Sequence, residues 1–340
     1  MMEKTVYRLL CRCAVFGVLL VLSALAIKES RVAFRWFRVA YNEPYRLSPH
    51  TSPFAFDILV APAQRLLFCA IEKNANTAFN DLLCSLARAR GRPPSLWQRV
   101  EAGWLRAPKG FELGCTWGGA NYAGVGMKEA ELWDALSSAE WSHAVFVRDP
   151  IERFVSGYLS KCAPGHDSDR YICERVFGAR NASLAQAVAV LAAAAREGRD
   201  LPGGVPQDHF RLQSRFCNGA VGAGKFELMY ELDPATSRDN VADMLQHVGV
   251  DEPALATPAF EAHFPPPAKL KLHATQHDTN AHNRSRALLE READGRNLMR
   301  ALLAFYAPDY RALASVLSVP RWAADLAGDE WVAGYINWSR

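Results

Sequence analysis

The chain has 340 residues, half of them apolar and 22% charged, with a formal net charge of +3. That length carries one large domain or two smaller ones, and the composition excludes a disordered chain. The net charge is too weak to argue for nucleic acid as a partner.

The N-terminus reads as a targeting segment. Lys4, Arg8 and Arg12 precede an apolar run from Cys13 to Ile27, and Lys28, Arg31, Arg35 and Arg38 follow it. A membrane span needs ~20 apolar residues, reached from Leu9 to Ile27 if Arg12 snorkels. A cleaved signal peptide is the alternative, with Ala24-Leu25-Ala26 as its small-x-small site. The expectation is a signal anchor over 1–28, a stem over 29–60, a folded domain over 61–310 and a tail of unknown role over 311–340.

Eight cysteines are present. Cys11 and Cys13 lie beside the apolar segment. The other six permit up to three disulfides in an oxidising compartment. Cys162 and Cys173 flank a short polar loop and are the preferred pair, while Cys69, inside a strand, reads as a free buried thiol. No CxxC or His/Cys cluster suggests zinc, and no metal is expected. Asn-x-Ser sequons at Asn181, Asn283 and Asn337 are glycosylation candidates in a secretory compartment.

The fold is expected to begin near Arg65. Leu66 to Ile71 reads as a buried strand, Glu72 to Thr77 as a polar turn, and Ala78, Phe79, Leu82, Leu83 and Leu86 as a helix. Met127 to Ser138 reads as a further helix. Ala144 to Val147 is a short apolar run of the kind seen in buried parallel strands. Asp149-Pro150 then breaks it, an N-cap followed by a proline suited to the first helical turn. Ile151, Phe154, Val155, Tyr158 and Leu159 follow at helical spacing. Ser183 caps an alanine-rich helix to Arg196. A strand within Gly224–Tyr230, a helix from Arg238 to Val248 and a last helix from Leu288 to Tyr306 complete the pattern.

Two strand-loop-helix junctions carry the chemistry. At the first, Lys73 supplies a point charge, Asn74, Asn76 and Thr77 supply donors, and Ala75 lies between them. At the second, Arg148 stands where strand passes to helix, and Arg153 and Ser156 lie three residues apart on that helix. Arginine offers a planar fork matched to phosphate oxygens. The plain alternative makes Arg148 and Arg153 surface arginines paired with Asp149 and Glu152. In open parallel sheets ligands bind at the carboxyl ends of strands, beside helix N-termini. A ligand with two separated anionic groups fits such a pair of junctions. The P-loop pattern G-x-x-x-x-G-K-[ST] is absent.

Ile71-Glu-Lys-Asn-Ala-Asn-Thr77 resembles the 5′-phosphosulfate loop of Golgi carbohydrate sulfotransferases, and Phe146-Val-Arg-Asp-Pro-Ile-Glu-Arg-Phe-Val-Ser-Gly-Tyr158 resembles their 3′-phosphate motif. Asp208-His-Phe-Arg-Leu-Gln213 with Phe216-Cys217, Lys225-Phe-Glu227 and Phe305-Tyr-Ala-Pro-Asp-Tyr310 are similar to later blocks of the chondroitin and dermatan 4-O-sulfotransferase group. The resemblance spans about Arg65 to Tyr310. It implies an α/β, P-loop-like fold with a central parallel sheet flanked by helices. It also implies the donor 3′-phosphoadenosine 5′-phosphosulfate, a carbohydrate acceptor and a single-span type II Golgi protein with a lumenal catalytic domain. Carried over residue by residue, Lys73 acts at the bridging oxygen. Lys73, Asn74, Ala75, Asn76 and Thr77 cradle the 5′ end. Arg148 and Ser156 hold the 3′-phosphate, with Arg153 ranked below them. His209, beside Asp208, is the candidate base, since a histidine pKa near ~6.5 suits proton abstraction. His143 and His273 are weaker candidates. Glu72 departs from the family's usual proline and Phe210 from its usual tryptophan. Two rival readings are a P-loop-like kinase and a non-catalytic lumenal protein that has kept the fold, with Glu72 as the reason to consider the latter.

Overall fold

Four strands form one sheet in the order β1-β2-β3-β4: Ile58–Ala61, Leu66–Cys69, Ser142–Val147 and Leu228–Glu231. β2, β3 and β4 run parallel, and β1 runs antiparallel to β2. The sheet is therefore mixed rather than parallel throughout. Only Pro62–Gln64, a 3-10 turn, and Arg65 in the left-handed region (φ 48°) join β1 to β2. So short a link permits only an antiparallel return, whereas parallel neighbours need a long crossover. β1 starts three residues before the expected domain start at 61, so Ile58, Leu59 and Val60 fall in the stretch read as stem.

This computed structural model describes residues 57–88, 120, 125, 127–163, 170–199, 201, 205–250, 258–266 and 281–336, all within one compact unit, Pro49–Arg340. The predicted anchor, His273 and the Asn337 sequon lie outside the described residues. Among those described, no helix is long and apolar enough to cross a membrane. Asn181 and Asn283 are both exposed.

Helices pack on both faces of the sheet: α1 (Asn76–Arg88), α2 (Glu129–Ser137), α3 (Pro150–Lys161), α4 (Arg170–Phe177), α5 (Leu184–Glu197), α6 (Ser237–His247), α7 (Pro258–His263), α8 (Ala281–Arg291), α9 (Gly295–Ala312), α10 (Arg321–Ala327) and α11 (Asp329–Ile336). Alternate strand residues part to opposite faces. Leu67, Cys69, Val145 and Val147 meet α3, α5 and α9, while Leu66, Phe68, Ala144 and Phe146 meet α1 and α6. This is the period-two pattern of a sheet covered on both sides. Ser183 caps α5 with a full capping box to Gln186.

The C-terminal region differs from expectation. The single last helix is two, α8 and α9, because the chain turns back after Arg291. A Cβ on Gly295 would clash with the Leu289 carbonyl oxygen, so only glycine fits that turn. α9 continues through Pro308 rather than ending there. Tyr306, Asp309 and Tyr310 are buried and hydrogen-bonded outside the helix, which holds the turn that proline would otherwise release. The tail forms α10 and α11, whose Trp322, Ala323, Ala327 and Val332 join the same core.

Cys162–Cys173 is a disulfide, closing the end of α3 onto α4. Cys69, expected as a free thiol, is bonded to Cys217. The expectation failed because the pairing spans 148 residues, beyond any local pattern. Cys84 is disulfide-bonded as well.

Candidate active site

The loop after β2 bends sharply because Lys73 (φ 70°) and Ala75 (φ 57°) take the left-handed conformation, unfavourable for residues with a Cβ. The bend starts α1 at Asn76, with Thr77 exposed on its first turn. First-turn N–H groups lack helical acceptors and favour anions. Lys73 Nζ donates to Ser160 Oγ on α3 at 2.8 Å. The Asn76 side chain donates to Glu72 Oε1 at 3.2 Å.

The second junction has the anticipated form. The Asp149 side chain accepts from Glu152 N at 2.9 Å, with Pro150 at the first helical position. Arg148 Nε lies 3.6 Å from Glu152 Oε2, but the two side chains are only 16% and 13% exposed, so this is no surface pair. Arg148 Nη1 also lies 3.5 Å from the Lys73 carbonyl, which brings the two junctions together. Ser156 is half-buried on α3.

Arg153, ranked below Arg148 and Ser156 because it suits a brace better than a phosphate contact, lies inside the fold. It is fully buried and donates from all three nitrogens to carbonyls: Nε to Glu72 at 2.8 Å, Nη1 to Arg211 at 2.7 Å and Nη2 to Asp208 at 2.6 Å. It braces the loops beneath the site. Asp208 does not orient His209. Its carboxylate pairs with Arg211 Nε at 3.1 Å, and Arg211 also bonds Asp57 at 2.8 Å and stacks 3.8 Å over Phe216. Burial pushes the Asp208 carboxyl up to about 7, with Arg211 opposing.

His209 ends a 3-10 turn, Val205–His209. Burial, then the charges of Lys73, Lys161 and Arg153, hold its pKa well below the usual 6.5. The ring is therefore neutral near pH 7, the form that can accept a proton. Its Nδ1 is buried without a hydrogen-bond partner. His143 sits at the opposite end of β3 from Arg148, bonded to Ala135 O and beside Glu227, and so takes no part in this site. The Glu72 carboxyl is also raised by burial, with Lys73 pulling it down.

Residues not foreseen hold the site together. Gln213 Oε1 accepts from Asn74 Nδ2 at 2.7 Å and from Arg148 N at 3.0 Å, and Gln213 Nε2 donates to Arg148 O at 2.7 Å. From α9, Asp309 accepts from Gln213 N, Ser214 N and Ser214 Oγ, Tyr306 Oη donates to Phe210 O, and Tyr310 Oη donates to Asp149. Gln213, Tyr306, Asp309 and Tyr310 all lie inside blocks already singled out in the sequence. Ser160 follows Ser156 by one helical turn, a spacing that puts it on the same face.

The site thus offers two linked anion-favouring junctions at the carboxyl ends of neighbouring parallel strands, with a neutral histidine beside the lysine. A family model described as the sulfotransferase family matches residues 56–314. The chain belongs to the sulfotransferase family. No curated protein and no solved structure gives a significant match. The matched span of this sulfotransferase takes in β1 and runs past Tyr310, so it holds every site residue named here. The family generally draws sulfate from 3′-phosphoadenosine 5′-phosphosulfate. Two separated cationic junctions, one at a helix N-terminus, suit a donor with phosphoryl groups at its 3′ and 5′ positions. Among the described residues no cluster of three or more His, Cys, Asp or Glu could hold a metal ion.

Proposed function

We propose that the protein transfers the sulfuryl group of 3′-phosphoadenosine 5′-phosphosulfate to a hydroxyl of a carbohydrate acceptor. The observation that carries this reading is the contact between the two junctions, Arg148 against the Lys73 loop. Lys73 and the first turn of α1 face the 5′ end, and Arg148 and Ser156 the 3′-phosphate. The acceptor oxygen forms a bond to sulfur as the bond from sulfur to the 5′-phosphate oxygen breaks. His209 takes the hydroxyl proton, and 3′,5′-bisphosphoadenosine leaves. Lys73 balances charge growing on that leaving group, the kind of positioned electrostatic help that dominates many enzymes. The carbohydrate acceptor rests on the resemblance of the blocks around His209 and Tyr310.

The disulfides Cys69–Cys217 and Cys162–Cys173 support an oxidising compartment. With the apolar run up to Ile27, they favour a lumenal domain on a type II Golgi anchor.

Retention on immobilised 3′,5′-bisphosphoadenosine tests the donor. Arg148→Ala is expected to abolish retention. His209→Ala is expected to keep it and to lower sulfate transfer by about 10²–10⁴-fold, the usual weight of a general base. A wild-type chain that is not retained overturns the donor. Undiminished transfer by the His209 variant removes that residue from the reaction. A panel of glycans with labelled donor tests the acceptor.

A further inference from the structure

We propose that Gln213 is a positioning residue that fixes the separation of the two anion junctions, so that one ligand with two phosphoryl groups is gripped at both ends. The proposal rests on the donor reading above. Gln213 is fully buried, so it acts through its neighbours. Its side-chain amide bonds both the N–H and the carbonyl of Arg148, at 3.0 and 2.7 Å, as a neighbouring strand would. The same Oε1 takes Asn74 Nδ2 at 2.7 Å, and Asn74 Nδ2 also reaches Phe146 O at 2.9 Å. The first loop is thereby tied twice to the end of β3. Both partners of Asn74 Nδ2 are acceptors, which sets the orientation of that amide. Asp309 anchors Gln213 from behind, through its backbone N–H at 2.8 Å.

Each junction also has its own local support. Asp149 caps α3 independently of Gln213, and the Asn74 N–H bonds Ile71 O within the first loop. Loss of the Gln213 side chain therefore leaves two anion sites standing, joined by the Asn74 bond to Phe146 O and the Arg148 contact with the Lys73 carbonyl alone, and so held in looser register. A ligand that touches one site feels little; a ligand that spans both loses the benefit of the second.

The test is calorimetric titration of the wild-type chain and Gln213→Leu with adenosine 5′-phosphate, adenosine 3′-phosphate and adenosine 3′,5′-bisphosphate, with thermal melting to check the fold. The bisphosphate is expected to lose about tenfold more affinity than either monophosphate, a typical coupling between two sites. Equal losses for all three ligands, or no loss, overturn the proposal. Gln213→Ala is measured in parallel and is expected to give the same selective loss, so that the proposal stays testable if Gln213→Leu does not fold. A wild-type chain that binds none of the three overturns the donor reading, and this proposal with it. Wild-type binding with an unselective variant overturns this proposal alone.

Discussion

The Tyr310 hydroxyl donates to Asp149 Oδ2 at 2.6 Å, joining the end of α9 to the cap of α3. Burial, opposed by this bond and by the Glu152 N–H, pushes the Asp149 carboxyl from 3.8 up to about 7. Between those values the folded protein holds a proton that the unfolded chain has released. The contribution is full below pH ~4 and is lost as pH rises through ~7, at up to ~1.4 kcal/mol per pH unit. Asp149→Asn keeps a capping oxygen. Denaturant midpoints from pH 4.5 to 8 should fall less steeply for this variant than for wild type. Some slope should remain, because Asp208 is raised in the same way. Superimposable curves would show that Asp149 is ionised in the fold throughout.

Glu72 tests whether a carboxylate beside Lys73 weakens donor binding. It accepts from Asn76 on the first turn of α1, and glutamine preserves that acceptor. Its raised pKa means that acid conditions neutralise it before an ordinary glutamate. Glu72→Gln should bind 3′,5′-bisphosphoadenosine about tenfold more tightly at pH 8, through loss of one like charge. As pH falls and the glutamate takes up its proton, the two proteins should converge. Equal affinities across the whole pH range would mean the carboxylate does not sense the ligand.

Gly157 separates α3 from the candidate base. A Cβ there would lie 2.9 Å from Phe210 Cε1 and 3.0 Å from His209 O. Gly157→Ala should cost about 1–3 kcal/mol through overpacking. Because the displaced segment carries His209, sulfate transfer should fall more than bisphosphoadenosine affinity. Steady-state kinetics with direct binding measurements checks the split, and equal losses in both would count against it.

The disulfides Cys69–Cys217 and Cys162–Cys173 should differ in weight. Cys69–Cys217 spans 148 residues and Cys162–Cys173 spans 11. Loop-closure entropy then makes the first worth about 2 kcal/mol more than the second. Cys69 also directly precedes the Lys73 loop, and Cys217 closely follows Gln213. Cys69→Ala with Cys217→Ala should therefore weaken bisphosphoadenosine binding, while Cys162→Ala with Cys173→Ala should lower melting temperature with less effect on binding. Calorimetry and melting on both pairs decide this.

What the sequence shows is what neighbours along the chain decide. Asp149-Pro150 after an apolar run yields a strand, a cap and a helix by local rules, and Ser183 caps α5 in the same way. Lys73 and Arg148 could be singled out because charge at strand ends has a local signature. Gln213 could not be assigned its place, because its partners lie 65 to 139 residues away. The antiparallel β1 escaped because four apolar residues after a proline-rich stretch resemble a stem. The helix expected to stop at Tyr306 runs on through Pro308, since nothing local reveals the contacts that hold the turn beyond it.

The anchoring of the site from α9 has a consequence for how the protein is made. Tyr306, Asp309 and Tyr310 reach back 96, 96 and 161 residues to Phe210, Gln213 and Asp149. Contacts of such separation close late and slowly. During synthesis from the N-terminus, the Lys73 loop and the Arg148 junction emerge long before their buttress. A nascent chain halted short of Tyr310 carries both junctions without the helix that seats them, so competence waits until α9 has been made.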